Sequence, residues 1–310
     1  MKRINLSLIS SFVVILLSLL TISATSAWAA TYYVDALSGN DATGKPDNSN
    51  LPFKTINKIN TFFQAGTIVH GDYIKFKMGT TPTEQTFQGR INLYNCSGIA
   101  GAPITITNYG SGSYKPQFNS ADVVTDHLAV GWTGPNGNGV YTYNVGGNSF
   151  FIYEDGYALR EASSTACSDG QIFFSGSTVY YKPSSGGPAN HLIERCLHGR
   201  TIYSAANDYI TIDGLSFIRE GLYAAADASG SNRTGWIVQD CDFVNQGVQF
   251  WQGSGITWVN LTVQNCTFDH CHNCSIVLEG GASDNASFNN MHILNNTITC
   301  NNTLLKDGLE

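Results

Sequence analysis

Charge is scarce in this chain. Asp, Glu, Lys and Arg make up 13% of its 310 residues, with a net charge of −7. No basic stripe runs through it, which argues against nucleic acid as a partner. Beyond the N-terminal segment, no stretch is apolar enough to cross a membrane. Methionine is nearly absent, with 3 copies. The 8 cysteines are scattered, which argues against a dense disulfide framework, although an exported chain would permit bridges. What abounds is glycine (32), asparagine, tyrosine (15) and phenylalanine (16). A turn-rich, aromatic-rich, charge-poor chain suits a β protein of many short strands. Tyr and Trp set among Asn, Ser and Thr also suit contact with carbohydrate, or simply a packed core.

The first 29 residues read as a secretory signal peptide. Lys2 and Arg3 supply positive charge, Phe12 to Leu20 an apolar core, and Ala27-Trp28-Ala29 a small-residue cleavage site. The mature chain is therefore expected outside the cytoplasm: secreted, periplasmic or at the cell surface. Next come a strand at Tyr32 to Val34 and a Gly/Asn/Asp/Pro loop. A helix follows, with Thr55 as N-cap and Ile56, Ile59, Phe62 and Phe63 on one face. Such a helix would cover the open end of a stack of coils.

The segments VQDCDF (238–243), VQNCTF (263–268) and ILNNTI (293–298) are near-copies, preceded by the more degenerate IDGLSF (212–217). Their spacings of 26, 25 and 30 residues mark a solenoid, one strand per coil stacked on its copy. Stacking sets Val238 beside Val263, Phe243 beside Phe268, and Cys241 beside Cys266 as buried thiols. Strict alternation would put Val238 and Phe243 on opposite faces, so a bend must fall between them, at Asp240, Asn265 and Asn295. Second strands follow at 221–226, 247–251 and 275–281. Early coils are read at 73–79, 90–98 and 103–116, and the periodicity breaks from 123 to 207 into hairpin-like strands around Asp155-Gly156 and 175–177. The organisation read is a signal at 1–29, a cap and first coils at 30–122, an inserted antiparallel region at 123–207, and repeat coils at 208–310 that end midway through a coil, as a partial sequence would.

YYVDALSGND, PFKTINKI, NYGSGSYKP, YITIDGLSF and the CDF/CTF coils resemble the right-handed parallel β-helix superfamily of secreted proteins that includes pectate lyases, near the family-nine polysaccharide lyases. The resemblance implies an all-β right-handed parallel β-helix with a short capping helix. It also implies a carbohydrate-active protein, most simply a lyase that cleaves a uronate-containing polysaccharide by β-elimination. In that chemistry a Lys or Arg removes the proton α to the carboxylate, and Ca²⁺ held by acidic side chains neutralises it. No compact set of three Asp residues is present to hold such an ion.

The residues after each core Phe form one stripe: Arg219 and Glu220, Asn245 and Gln246, then Asp269, His270 and His272, with Glu279, Lys306 and Asp307 beyond. This stripe holds most of the ionisable groups of the repeat and is read as the outward substrate face, or as ordinary solvated turns. Lys306 is the first candidate for the base, Arg219 the second and Arg233 the third. Glu220, Asp269, His270, His272, Glu279 and Asp307 are candidate substrate contacts. DHCHNC (269–274) could bind zinc, bridge Cys271 to Cys274 or Cys300, or simply pack. Asp35, Asn40, Asp41 and Asp47 could hold a cation or make Asx turns. The sequons at Asn232, Asn260 and Asn285 read as composition. Two other functions stay open: a non-catalytic glycan binder, and a glycoside hydrolase using Asp242 and Asp269. The partner expected in each case is a polysaccharide, and the chain is expected to be a monomer.

Overall fold

The computed structural model describes residues 29–119, 121–126, 131–145, 151–196, 200–226, 232–253, 255–271, 275–280 and 287–299. It shows a parallel β-helix with three sheets. The first sheet stacks Thr31–Val34, Tyr73–Lys77, Ile104–Tyr109, Ile210–Asp213, Ile237–Gln239, Thr257–Gln264 and Ser287–Leu294. The second stacks Thr86–Gln88, Gln117–Asn119, Ser216–Ile218, Asp242–Val244, Thr267–Asp269 and Thr297–Thr299. The third stacks Ile91–Leu93, Ile202–Ala205, Leu222–Ala226, Val248–Gln252 and Ile276–Gly280. Each of the five coils from Tyr73 to Gly280 visits the three sheets in that order.

The expected register holds. Val238 pairs with Val263, and Phe243 with Phe268. Alternation along each strand sends one set of side chains to the core, where Ile106, Ile212, Val238 and Val263 stack under the first sheet. Under the second sheet Phe87, Phe118, Phe217, Phe243 and Phe268 form a ladder of stacked rings, with centroids 5.6, 5.5, 4.9 and 5.0 Å apart. Asp240, Asn265 and Asn295 make the bend between the first two sheets, at φ of 52°, 54° and 54°, with Gly214 in the same place at 67°. A left-handed residue there turns the chain so that both flanking strands face inward. Cys241 and Cys266 follow that bend as buried free thiols, and burial pushes the Cys241 thiol up.

A second column of left-handed residues lies between the second and third sheets: Arg219, Asn245 and His270, at φ of 77°, 77° and 53°. Here the coils touch backbone to backbone. A Cβ on Gly221 would come within 1.8 Å of the Gly247 carbonyl oxygen, and one on Gly247 within 1.9 Å of the Ser275 oxygen, so both positions need glycine.

The helix Ile56–Gln64 is capped by the Thr55 hydroxyl, which accepts from the Lys58 amide at 3.2 Å. Its Asn60 donates to the Arg90 carbonyl at 2.8 Å and accepts from the Asn92 amide at 2.9 Å. The helix thereby satisfies the free edge of the third sheet at Ile91–Leu93 and closes the first coil. Asp35 ties the neighbouring loop together. It accepts from the Leu37 and Ser38 amides, the Ser38 hydroxyl, Lys77 at 2.8 Å and Gln85 at 3.0 Å. Burial raises its pKa, but those donors outweigh it and hold the carboxyl well below the usual range.

The insertion runs from Ala121–Asp126 to Leu192–Cys196 and forms two four-stranded sheets around Ile152, Ile172, Val179, Tyr181 and Ile193, antiparallel except where Arg160–Glu161 pairs parallel with Gln171–Ser175. It leaves the turn between the second and third sheets of one coil. Ile202–Ala205, which the sequence reading placed inside the inserted region, already belongs to the parallel third sheet. Residues 1–28, which hold nearly all of the expected signal peptide, lie outside the described residues. No helix among the described residues is long and apolar enough to cross a membrane.

Candidate functional site

The stripe after the core Phe residues is not an open substrate face at its start, because the insertion docks on it. Arg219 donates through Nε and Nη2 to Glu194 Oε2 at 2.9 and 2.6 Å, and its guanidinium lies 5.2 Å from the centre of the Tyr153 ring. The Tyr153 hydroxyl donates to the Arg219 carbonyl at 2.5 Å, and Asn245 donates to the Gly156 carbonyl at 3.2 Å. Glu194, Glu220 and Asn245 are buried. Burial drives the Tyr153 phenol and the Cys196 thiol up in the same junction. Arg219 is thus a structural cation inside a joint, and Glu220 cannot reach a polymer in solvent.

Arg233, the third candidate base, is also buried, with Nη1 3.6 Å from Asp208, under the first sheet's margin. Lys306, Asp307 and His272 lie outside the described residues, as do Cys274 and Cys300 of the zinc and disulfide readings. Asp269 and His270 stay partly open. His270 Nδ1 is 2.8 Å from Asp269, and the Tyr157 ring of the insertion stands 6.4 Å away at a T-shaped angle. Asp242 is held by Lys115 at 2.9 Å on the outer face of the second sheet, one strand from Asp269.

Glu279 lies elsewhere, exposed on the outer face of the third sheet, and that face carries the densest chemistry. Its strands put Asn92, Tyr203, Tyr223, Gln249 and Val277 in one outward row, and Ala205, Ala225, Trp251 and Glu279 in the next. Tyr203 and Tyr223 stack with centroids 5.8 Å apart and planes 13° off parallel. The Arg90 guanidinium lies over Tyr203 at 5.2 Å, and that of Arg200 over Tyr223 at 4.7 Å. Arg200 then reaches Gln249 Oε1 at 2.6 Å, and Gln249 Nε2 donates to Glu279 at 2.7 Å. The order along the helix axis is Arg90, Tyr203, Tyr223, Arg200, Gln249, Glu279. The Arg90 Nε and Asn92 Oδ1 atoms at the first rung are buried without a hydrogen-bond partner. Burial lowers the Arg200 pKa, opposed by Tyr223, Glu220 and Glu279, and burial raises that of Tyr223, opposed by Arg200.

Sequence reasoning missed Arg90, Arg200, Tyr203 and Tyr223. A signal existed: IYSA (202–205) and LYAA (222–225) are copies with Tyr in the same place. They went unread because the first sat in a region taken as inserted.

The face does not suit calcium. Its outward positions among the described residues offer one carboxylate, Glu279, where the ion needs several hard oxygens. The Asp35 loop is spent on its own backbone: Asn40 on Ala42 and Thr43, Asp41 on Lys54 and Thr55, Asp47 on Thr31. Glu154, Asp155 and His191 converge inside the insertion, but their atoms are also engaged. Glu154 takes the Tyr181 and Ser184 hydroxyls, and Asp155 takes the Leu192 amide. His191 meets Asp155 at 2.7 Å through Nδ1 and the Ser185 carbonyl at 2.8 Å through Nε2.

Two acceptors on one imidazole favour the doubly protonated ring. Burial lowers the His191 pKa, but Asp155, the Ser185 carbonyl and the Glu154 charge outweigh it, so the net shift is upward. A raised folded pKa contributes stability that is fully present below the unfolded value of about 6.5 and lost as pH rises through the folded value. The melting temperature of the wild type should therefore fall across that window relative to His191→Gln. Parallel melting profiles of the two proteins would refute a charged His191.

No family model matches the chain, and no curated protein matches it. Among solved structures, it is similar to XylC in complex with xylose, at a TM-score of 0.51 and 14% identity over 86% of this chain. The chain spans 54% of that protein's length, about half. GH136 lacto-N-biosidase from Eubacterium ramulus, native protein, gives a TM-score of 0.39 at 15% identity, over 86% of this chain and 40% of that one. A rhamnogalacturonan lyase gives 0.31 at 13% identity, over 86% and 56%. The likeness to XylC is one of fold.

Proposed function

We propose that this chain is an exported carbohydrate-active protein that takes an acidic polysaccharide along the outer face of its third sheet and cleaves it by β-elimination. One observation carries the reading: two stacked tyrosines sit between two guanidinium groups, in a line along the axis. A guanidinium spread over a ring presents its N–H edge sideways, where a carboxylate can take it. The flanking ring edges and the low ground at the half-buried Ala205 suit sugar rings. A protein of similar fold is described with xylose bound, and a saccharide ligand here would agree with that.

In the chemistry proposed, Arg90 pairs with the uronate carboxylate and draws charge from it, which acidifies the α-hydrogen. Arg200, acting as the neutral guanidine beside Tyr223, takes that proton as the C–H bond breaks and becomes the guanidinium. Tyr223, kept as a neutral phenol by burial, gives its proton to the departing glycosidic oxygen. The product carries a new C=C bond conjugated with its carboxylate.

A non-catalytic binder is favoured by one contact, the hydrogen bond from Arg200 to Gln249, because it ties the guanidine group to a neighbouring side chain. The same assay separates the two. Ultraviolet absorbance should rise when full-length protein meets uronate polymers, and Arg200→Ala should lower the rate by about a hundredfold, the scale of one lost acid–base group. Retained binding without absorbance would leave a binder, and new reducing ends without absorbance a hydrolase. Absence of both binding and turnover on every acidic polymer would sink the reading.

A further inference from the structure

We infer that the third-sheet face selects an acidic glycan whose charged units alternate with uncharged or amino-bearing ones, and that Glu279, beside Trp251, is the residue that rejects a continuous polyuronate. This rests on the reading of the face as an acidic-glycan site and adds its specificity.

The face is electrically uneven along its length. Both of its arginines, Arg90 and Arg200, lie on the tyrosine row. At the far end the row closes on Gln249 and the carboxylate of Glu279. Glu279 is exposed and makes its one hydrogen bond with an uncharged amide, and it takes part in no ion pair among the described residues. Its charge therefore faces the ligand path. Directly beside it in register stands Trp251, the one indole of the outward rows, with Ala225 on the strand behind. An indole next to a carboxylate is a platform for a pyranose that is neutral or carries a protonated amine.

Adjacent strands lie ~4.8 Å apart, so a chain laid along the axis that reaches Arg200 must also cross the Trp251–Glu279 rungs. A uronate placed there meets a like charge in a partly screened setting, whereas a neutral sugar meets a stacking surface and a hydrogen-bond acceptor. Discrimination through a repulsive group needs no better fit to the accepted ligand.

The test compares two probes on the full chain by calorimetry at low salt. Polygalacturonate bears a carboxylate on every sugar, and hyaluronan bears one on every second sugar. Wild type should bind hyaluronan about three- to fivefold tighter per site, the upper range of one exposed charge contact. Glu279→Gln keeps an acceptor for Gln249, and should tighten polygalacturonate by that factor while leaving hyaluronan within about twofold. Trp251→Ala should weaken hyaluronan more than polygalacturonate. High salt should shrink the gap. Equal affinity for both polymers, unmoved by Glu279→Gln, overturns the inference and leaves the acidic-glycan reading intact. Failure of both polymers to bind overturns the inference, and the acidic-glycan reading falls with it when every other acidic polymer also fails to bind and to react.

Discussion

Arg219→Ala is expected to destabilise the protein by about 3–5 kcal/mol, the cost of removing one partner from a buried ion pair. Glu194 is 4% exposed, and the carboxylate oxygen that meets Arg219 would be left in the joint without its cation. Alanine would also keep the left-handed backbone at φ 77° without the contacts that hold it. The ring of Tyr153 would lose the guanidinium above it. The loss should fall on the docking of the insertion first, because that is where the bonds cross. Limited proteolysis should then cut between residues 121 and 196 well before the coils open, and the denaturation midpoint should drop. Pairing the change with Glu194→Gln should recover much of the loss, since no bare charge stays buried. An Arg219→Ala protein that melts like wild type but has lost all activity would return Arg219 to the reaction.

That expectation reverses the sequence reading of the same residue, and the reversal shows where the sequence was legible. The architecture was open to view because it repeats. Val238, Phe243, Asp240 and their copies recur at the spacing of one coil, and a pattern of period two broken by a left-handed residue has few three-dimensional solutions. The variable positions outside the core were visible too, as a stripe. What the stripe faced was not visible. The insertion leaves the coil at Asn119 and returns before Ile202, and nothing local to Arg219, Glu220 or Asn245 records that a folded unit lies on them, through residues 25 to 89 positions earlier. Burial of a turn by a distant segment is a long-range fact.

The third-sheet face illustrates the converse. Its residues come from five coils and from either side of the insertion, so Arg90 and Tyr203 are neighbours in space with the whole insertion between them in sequence. Periodicity within the repeat could not reach them. Glu279 alone was found, because it sits inside a regular coil, and it was found as part of the wrong face.

The Phe ladder allows the largest stability effect to be placed by position. Phe243→Ala should cost about 3–5 kcal/mol, through lost transfer energy and the cavity left by a ring that cannot be refilled from a stiff sheet. Phe243 is fully buried and touches Phe217 at 4.9 Å and Phe268 at 5.0 Å, so its removal opens the stack on both sides. Phe268→Ala should cost less, because the next rung is Ile298, which is 55% exposed and covers it poorly. In a solenoid each coil is stabilised by its neighbours, so a gap at Phe243 weakens the coupling between the coils before and after it. Trp236 is buried in the coil that carries Phe243 and Trp258 in the coil after it, and their fluorescence should therefore report an earlier midpoint than far-ultraviolet circular dichroism, which averages all coils. In wild type the two probes should coincide. Equal losses from Phe243→Ala and Phe268→Ala, with coincident probes in both, would show that the stack unfolds as one unit and that position along the ladder carries no energetic meaning.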